Sequence, residues 1–393
     1  MNSTNPFQSF WMGGYECADH LNAFGNRVDL LRDTGHLQFL TEDYLRLREL
    51  DITTVREGIR WSVAEPHPYV YDWSAVDVVI DTAQQTGIQV VWDICHFGFA
   101  ADLTPLHPMF ARRFAHLCEA FARHYRSRVP DGELIITPIN EVSFLSWLGG
   151  DVRGTAPYTT GQGWDVKYHL MKAYIEGIEA LHRVDSSIRI LTTEPLVYIA
   201  SSDPDHPELN RQAQDAHEAQ FQVLDMLSGR MCPELRGRPD YLDILGYNYY
   251  HDNQWISGGA KDSLIWHPEF DNPARRTLDA LLQEAWLRYE KPFILSETSH
   301  YGDHRPEWLG LIAQEAVHVL KSSLPLLGIC LYPVLDRPDW DHIHHWHRSG
   351  IWDIPNPETL ERILHLPTAA ALHQAQQQVQ AAFPEPTRLE AIA

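Results

Sequence analysis

Cysteine is scarce in this chain, and its spacing gives no sign of a disulfide framework. Five cysteines lie scattered along 393 residues: Cys17, Cys95, Cys118, Cys232 and Cys330. Their number is odd, and Cys95 and Cys330 stand in apolar runs, where a buried free thiol is the usual state. We therefore expect a reduced protein, and a cytoplasmic location is the interpretation that fits this cysteine usage.

Basic residues and long apolar runs are also in short supply. Lysine and arginine number 31 against 53 acidic residues, which leaves a net charge of -22. Such a charge disfavours nucleic acids and anionic membranes as partners. No run approaches the ~18 apolar residues of a membrane span, and the first residues lack the basic and apolar regions of a signal peptide. The sequence predicts a soluble protein that acts on a small molecule, and it leaves the oligomeric state open.

What the chain does contain is a regular alternation of strand and helix patterns. The predicted strands cover residues 9–15, 53–61, 88–95, 134–139, 188–193, 242–247, 291–297 and 327–334. The predicted helices cover about residues 41–50, 74–86, 108–126, 164–182, 207–227, 273–289, 306–320 and 367–383. Thr41 is expected to cap the first helix, and Gly87 to end the second.

No Gly/Ser-rich linker interrupts these eight strand–helix pairs. Eight parallel strands joined by crossover helices close into a barrel. The predicted fold is therefore a single (β/α)₈ barrel domain spanning residues 1–393, with a mobile tail at about residues 384–393.

Two of the predicted strands stop on a glutamate. Residues 134–139 are followed by Asn140 and Glu141, and residues 293–295 are followed by Ser296 and Glu297. The carboxyl ends of barrel strands carry the catalytic groups, and two carboxylates there are the equipment for cleaving a glycosidic bond. A single glutamate after an apolar run is usually a solvated loop residue, so the indication comes from the pair.

The remaining predicted strands end on polar and aromatic residues that the mouth of such a barrel would bring together. They are Arg56, Trp61, His96, Phe97, Glu194, Asn248, Tyr249, Tyr250, Tyr332, Asp336, Asp339 and Trp340.

The segments around these residues resemble those of the family 1 glycoside hydrolases, which include β-glucosidases and β-galactosidases and belong to a clan of retaining barrel enzymes. Residues 137–141 resemble the family's Thr-Phe-Asn-Glu-Pro, and residues 294–297 resemble its Ile-Thr-Glu-Asn-Gly. Further similar segments follow in the same order along the chain, so that the resemblance spans roughly residues 9–355: residues 55–61, 94–97, 246–250 and 348–351.

The resemblance implies roles for the chemistry-bearing residues. Glu141 would be the acid/base and Glu297 the nucleophile, with Arg56 and Tyr250 steadying the nucleophile. The other residues it implies at the sugar or beside it are His96, Asn140, Asn248, His20, Tyr332, Asp339 and Trp340. The implied activity is hydrolysis of a small β-glycoside with retention through a covalent glycosyl-enzyme, without cofactor or metal.

The residues at the positions that would bind the sugar differ from those of the family. His20 stands near a glutamine, Phe97 and Tyr332 replace tryptophans, and Asp339 replaces a glutamate; Val142 also replaces the proline after the acid/base. The sequence therefore predicts the reaction class and leaves the glycone and aglycone open.

Several alternatives remain at this point. A transglycosylase would use the same pair of glutamates, and a sugar-binding barrel without catalysis is the competing class. His342, His344, His345 and His347 lack the spacing of a recognisable metal site and are expected on the surface. A rim that positions the leaving group is the second interpretation of this cluster. Glu194 is a third carboxylate with two open interpretations, contact with the aglycone and a position in the wall or a loop, and the second is the more common. Two interpretations remain for Trp61, Trp92 and Trp147: each could stack on a sugar ring or pack in the core.

Overall fold

Eight parallel strands form a closed barrel in the computed structural model, which describes residues 5–260 and 263–383. The strands β1 to β8 are Trp11–Gly14, Thr54–Gly58, Gln89–Cys95, Ile135–Ile139, Arg189–Pro195, Ile244–Asn248, Phe293–Thr298 and Leu326–Leu331. Each strand pairs with its neighbours in the chain, and β1 closes the ring against β8, with Trp11 beside Ile329. The predicted (β/α)₈ barrel is confirmed. The predicted tail at residues 384–393 lies outside the described residues.

The interior of the barrel is a separate apolar layer, distinct from the core between strands and helices. Phe7 and eight residues from seven strands or their ends build this layer, with two of the eight from β8 and its end: Met12, Val91, Ile135, Leu191, Ile244, Ile294, Cys330 and Tyr332. Because this layer fills the barrel from below, polar side chains are left for the carboxyl ends of the strands.

Helices surround the barrel. In chain order, α1 to α12 are Leu30–Asp33, Leu40–Glu49, Trp61–Ala64, Ser74–Thr86, Phe110–Arg128, Val142–Gly150, Gly163–Val184, Pro207–Glu218, Gln222–Leu227, Leu278–Tyr289, Arg305–Lys321 and Leu366–Ala382. Gly87 ends α4 in the left-handed conformation at φ 68°, as predicted from its place after the apolar pattern.

Some predicted elements differ in the structure. Thr41 does not cap α2, which begins at Leu40 after Phe39 without a side-chain cap. Trp61 does not extend β2 but begins the short helix α3, since the backbone turns at Arg60 with φ 53°. The helix α6 directly after Glu141 was not predicted, and the predicted helix at residues 207–227 is broken into α8 and α9. The break between α8 and α9 is a 3₁₀ turn at Ala219–Phe221, which hydrophobic periodicity alone does not predict.

The loop after β8 is shaped by its own short ribbon, in which Arg337–Pro338 pairs antiparallel with Trp346–His347. All five cysteines are free, and Cys95 and Cys330 are buried, as predicted. Within the described ranges, no helix has the length and apolar character needed to cross a membrane.

Candidate active site

Glu297 lies at the carboxyl end of β7 with its carboxylate held on both sides. Arg56 Nη1 donates to Glu297 Oε1 at 3.0 Å, and Tyr250 Oη donates to Glu297 Oε2 at 2.8 Å. The residue is only 4% exposed. A buried carboxylate with a guanidinium and a hydroxyl as partners has its charge neutralised and its orientation fixed.

Arg56 is itself held by three further acceptors. Its Nη1 also donates to the backbone oxygen of Ser296 at 2.7 Å, and its Nη2 donates to Asp93 Oδ2 at 2.7 Å and to Asn140 Oδ1 at 3.2 Å. The guanidinium is fully buried. It therefore links β2, β3, β4 and β7 at one point beneath Glu297.

Glu141 faces this point from the end of β4, at the first turn of α6. Its backbone lies in the left-handed region at φ 47°, and its N–H donates to Thr193 O at 3.0 Å. Asn248 Nδ2 donates to Glu141 Oε1 at 2.9 Å, and Asn248 Oδ1 in turn accepts from Ser296 Oγ at 2.6 Å. The amide of Asn248 is thus oriented by a serine next to Glu297.

The two glutamates have opposite electrostatic surroundings. Burial, followed by the negative charge of Glu297, raises the pKa of Glu141 to about 8. Asn248 opposes this increase, because its amide donates to the ionised form. Glu297 instead has Arg56 at 3.0 Å. One carboxyl group is therefore kept protonated near neutral pH beside a carboxylate that is paired with a cation.

His96 continues the polar network toward β1 and β8. Asp93 Oδ2 lies 2.9 Å from His96 Nδ1, and the ring stacks on Tyr332 with the planes 13° apart. His96 Nε2 lies 3.3 Å from Tyr332 Oη and 3.4 Å from Asn140 Nδ2. Gly14 is required here, because a Cβ on it would lie 2.0 Å from the Tyr332 ring.

His20, Phe97 and Trp340 form an aromatic wall beside His96. The ring centroids of His20 and Trp340 are 4.7 Å apart, and those of Phe97 and Trp340 are 5.4 Å apart. Burial lowers the pKa of His20 to about 3, so its imidazole is neutral. In the part of the chain that the structure describes, His20 Nδ1 and Trp340 Nε1 are buried without a hydrogen-bond partner. A polar ligand at this wall would supply the missing partners.

Asp339 lies close to this wall, but its carboxylate is engaged by its own loop. Oδ2 lies 2.9 Å from His347 Nε2, and Oδ1 accepts from the backbone N–H groups of Asp341 and His342 at 2.9 and 2.8 Å. Against the effect of burial, these bonds lower the pKa of Asp339 to about 2. Its carboxylate holds the loop in shape.

The histidine-rich loop shows no metal geometry. His342, His344 and His345 are exposed, as predicted, whereas His347 is half-buried, with its Nε2 2.9 Å from Asp339 Oδ2. Among the described residues, one group has ligand atoms at metal spacing: Cys17, Asp93 and His96, within 4.8 Å of one another. Arg56 already neutralises Asp93 at 2.7 Å, and burial raises the pKa of the Cys17 thiol to about 11. The group is better described as part of the polar network than as a cation site.

Glu194 and the three candidate tryptophans lie in different surroundings. Glu194 lies at the end of β5 and accepts from the N–H of Ser143 in α6 at 3.2 Å; burial raises its pKa to about 7. Trp61 and Trp92 are buried against α5, with ring centroids 5.3 Å from Phe110 and Phe121 respectively. Trp147 is 42% exposed, and its ring is 5.7 Å from that of Phe144.

Sequence reasoning missed four residues of this network: Asp93, Ser296, Glu16 and Arg337. Glu16 Oε1 lies 3.5 Å from His96 Nε2, and Arg337 Nε lies 3.5 Å from Glu16 Oε2. Asp93 is a charged residue inside an apolar strand and is fully buried, which was a readable sign of a paired carboxylate. Ser296 and the pair Glu16 and Arg337 carried no local sign, because their partners come from other strands.

Comparison with known families gives a partial sequence match. A profile of glycoside hydrolase family 42, described as beta-galactosidase, matches residues 33–95. This segment covers α2 to β3, which is less than half of the chain. A search of curated protein sequences gave no match.

Comparison with solved structures gives matches over almost the whole chain. A β-glucosidase from Thermotoga maritima in complex with glucoimidazole has a TM-score of 0.74 at 16% identity, covering 95% of this chain and 100% of that one. The AHE enzyme from Alicyclobacillus herbarius has a TM-score of 0.71 at 16% identity, with 88% of each chain covered. A hyperthermophilic β-glucosidase mutant has a TM-score of 0.74 at 14% identity, covering 93% and 99%.

These likenesses show the fold. The chain has the (β/α)₈ barrel of the family 1 β-glucosidases over nearly its whole length. The resemblance predicted from the motifs is confirmed at that level.

Proposed function

We propose that the protein is a retaining β-glycosidase in which Glu297 is the nucleophile and Glu141 the acid/base. The observation that carries the proposal is the contrast between the two carboxyl groups. Burial and the charge of Glu297 raise the pKa of Glu141 to about 8, while Arg56 and Tyr250 hold Glu297 at 3.0 and 2.8 Å. A proton donor opposite a charged carboxylate is what glycoside cleavage requires.

In the first step, Glu297 attacks the anomeric carbon while the bond from that carbon to the aglycone oxygen breaks. Glu141 gives its proton to the departing oxygen. Glu297 is then an ester, so its charge no longer raises the pKa of Glu141, which becomes ionised. In the second step, Glu141 takes a proton from water as the oxygen of that water attacks the anomeric carbon and the ester bond breaks.

Support for a sugar ligand comes from the solved structures with the same fold, among them a Thermotoga maritima β-glucosidase in complex with glucoimidazole. The unpartnered His20 Nδ1 and Trp340 Nε1 beside the site fit a ligand rich in hydroxyl groups.

The test is hydrolysis of a panel of aryl β-glycosides, with proton NMR of the sugar released first. We expect phenol release from at least one β-glycoside, with the β-anomer appearing before mutarotation. The Glu297→Ala variant serves as the control for contaminating glycosidase and should release no sugar. Initial release of the α-anomer would reject retention, and a wild-type rate equal to that of Glu297→Ala across the panel would reject the activity.

A further inference from the structure

Glu16 and Arg337 meet at the side of the site where β1 adjoins β8. Glu16 comes two residues after β1 and is 8% exposed, and Arg337 begins the ribbon that follows β8. Glu16 Oε2 lies 3.5 Å from Arg337 Nε. Neither residue belongs to the pair of glutamates or to the groups that hold them.

Glu16 also contacts the network around His96. Its Oε1 lies 3.5 Å from His96 Nε2 and accepts from the N–H of Ala18 at 3.2 Å. The charge of Glu16 contributes, after burial and other charges, to the raised pKa of Tyr250, whose hydroxyl binds Glu297. His96 Nε2 in turn lies 3.4 Å from Asn140 Nδ2, and Asn140 Oδ1 accepts from Arg56, so Glu16 is joined to the network that holds Glu297.

Arg337 is held over the aromatic wall. Its guanidinium lies 5.7 Å from the centroid of the Trp340 ring, and its Nη1 donates to Pro338 O at 3.1 Å. Its side chain is 21% exposed, against 7% for Glu16. The contact between Arg337 and Glu16 is long at 3.5 Å, so each of the two side chains can form a shorter hydrogen bond to a ligand beside it.

Asp339 is not the carboxylate that would bind a sugar hydroxyl here, because both of its oxygens are already bonded within its own loop. Glu16 has no such set of short bonds. Of Glu16 and Asp339, Glu16 is the one with acceptor capacity left for a sugar hydroxyl.

The charges of the pocket are balanced. Three carboxylates, Glu16, Asp93 and Glu297, stand against the guanidinium groups of Arg56 and Arg337 and the imidazole of His96. Burial opposes protonation of His96, but the carboxylates of Asp93 at 2.9 Å and Glu16 at 3.5 Å raise its pKa. A carboxylate or phosphate on the sugar would add an uncompensated charge in a buried site, which is costly.

We propose that Glu16 and Arg337 read the glycone, with Glu16 accepting and Arg337 donating hydrogen bonds to its hydroxyl groups, so that neutral sugars are selected and anionic sugars are rejected. This inference rests on the proposed glycosidase function. It names the class of glycone: an uncharged sugar, not a uronic acid or a phosphorylated sugar.

The test compares wild type with Glu16→Gln and Arg337→Gln on neutral aryl β-glycosides and on the corresponding β-glucuronide and 6-phosphate. We expect wild type to prefer the neutral substrates. Each variant should lose roughly 10- to 100-fold in kcat/KM on neutral substrates, as for a lost bond to a charged group. The loss should lie mainly in KM, because the contact is made before and during the reaction. Glu16→Gln should also narrow the preference for neutral over anionic sugars.

Asp243→Asn is the matched control. Asp243 pairs with Arg189 at 2.7 Å at the amino end of the barrel, so its replacement removes an acid–arginine pair that lies away from the pocket. Its preference between neutral and anionic substrates should equal that of wild type. The proposal is overturned if wild type prefers the anionic substrates, or if Glu16→Gln and Arg337→Gln match Asp243→Asn in KM and preference.

Failure of the proposed activity is recognised separately. If wild type cleaves no member of the panel, binding of free monosaccharides is followed by tryptophan fluorescence. A neutral hexose and the uronic acid with the same ring stereochemistry are titrated into wild type and Glu16→Gln. If wild type binds the neutral sugar more tightly than the uronic acid, and Glu16→Gln binds the neutral sugar more weakly than wild type does, the inference about the pocket is supported. Equal affinity of wild type for both sugars would overturn it.

Discussion

Glu141 and Glu297 are chemically identical residues that their neighbours make different. Arg56 and Tyr250 bond Glu297, whereas Glu141 has an amide partner, Asn248, and a negative neighbour. The roles we propose for the two carboxyl groups follow from these partners, and they lead to different expectations for the two alanine variants.

Replacing Glu297 by alanine removes the nucleophile, so turnover of every substrate should fall by several orders of magnitude, whatever the leaving group. Replacing Glu141 removes only the proton donor and the later base. With a very acidic phenol as leaving group, the first step should stay fast and the second slow, which gives a burst of phenol before slow turnover. Rapid-mixing measurements of phenol release by both variants would check this.

Added azide distinguishes the roles further, because it attacks the glycosyl-enzyme without help from a base. Azide should speed turnover by the Glu141 variant and yield a β-glycosyl azide. A poor leaving group serves as the control and should show no burst. If the Glu297 variant gave the burst and the β-azide product instead, the two assignments would be reversed.

The pH dependence of the reaction should report the protonation of Glu141. Its pKa is raised to about 8, and the protonated form is the one needed for the first step. Hence kcat/KM should fall on the alkaline side near that pH. Asn248 Nδ2 donates to the ionised carboxylate, so Asn248→Ala should move this fall to higher pH.

The same pH profile measured for Ser296→Ala tests a smaller perturbation of Asn248. Ser296 Oγ orients Asn248 through a 2.6 Å bond, so its loss should move the alkaline fall in the same direction by a smaller amount. An alkaline fall that stays in place or moves to lower pH in Asn248→Ala would contradict the assignment of Glu141 as the proton donor.

At the scale of the element, β2 carries charged side chains on both faces. Arg56 points to Glu297, while the next residue, Glu57, accepts from Tyr44 Oη at 2.7 Å and lies 2.9 Å from His36 Nε2. His36 Nδ1 lies 2.9 Å from Asp43 Oδ2. Asp43 in turn accepts from Arg362 Nε at 3.0 Å, so this buried network joins β2, α2 and the segment before α12.

This network should make the stability of the protein depend on pH. Burial opposes the charge of His36, but Glu57 and Asp43 raise its pKa from 6.5 to about 9. A group with a raised folded-state pKa stabilises fully below its unfolded value and loses that contribution as the pH rises through the folded one. The contribution, on the order of 3 kcal/mol, should therefore decline between pH 6.5 and about 9.

Urea unfolding of wild type and His36→Gln across this pH range would measure the effect. The wild-type unfolding free energy should decline more steeply with pH than that of His36→Gln, which lacks the titrating group. His342→Gln, on the exposed loop, is the control and should follow wild type. Parallel curves for wild type and His36→Gln would show that the charge of His36 does not stabilise the fold.

At the scale of the whole molecule, all the groups in the proposed chemistry are side chains of the chain itself. The carboxyl ends of β2, β3, β4, β6 and β7 supply the polar network, and the closed barrel places them at one mouth. Proton transfer and carboxylate attack need no bound ion.

Activity should therefore survive prolonged dialysis against EDTA, with a rate within about twofold of the untreated enzyme. The measurement is the initial rate on the best aryl glycoside before and after dialysis, with a mock dialysis as control. A loss of activity that a divalent ion restores would point to a metal requirement, and Cys17, Asp93 and His96 would be the first residues to replace.

The sequence by itself determined the alternation of strands and helices, and with it the barrel. Those signals are local: an apolar run buried on both faces, an amphipathic period, a glycine at a helix end. The same local character exposed Glu141 and Glu297, since each interrupts an apolar run at the point where a strand ends. Turns such as the one at Arg60 left too weak a pattern to be predicted.

Only the tertiary structure decided which side chains meet. Asp93 is buried because Arg56 from the neighbouring strand neutralises it, and Asn248 is oriented by Ser296 from β7. Glu16 and Arg337 come from opposite ends of the chain and meet because β1 closes the barrel against β8. Charge pairs and hydrogen bonds form between side chains a few ångströms apart. Which side chains come that close depends on the register of the strands, and the residues on either side of them in the sequence do not indicate it.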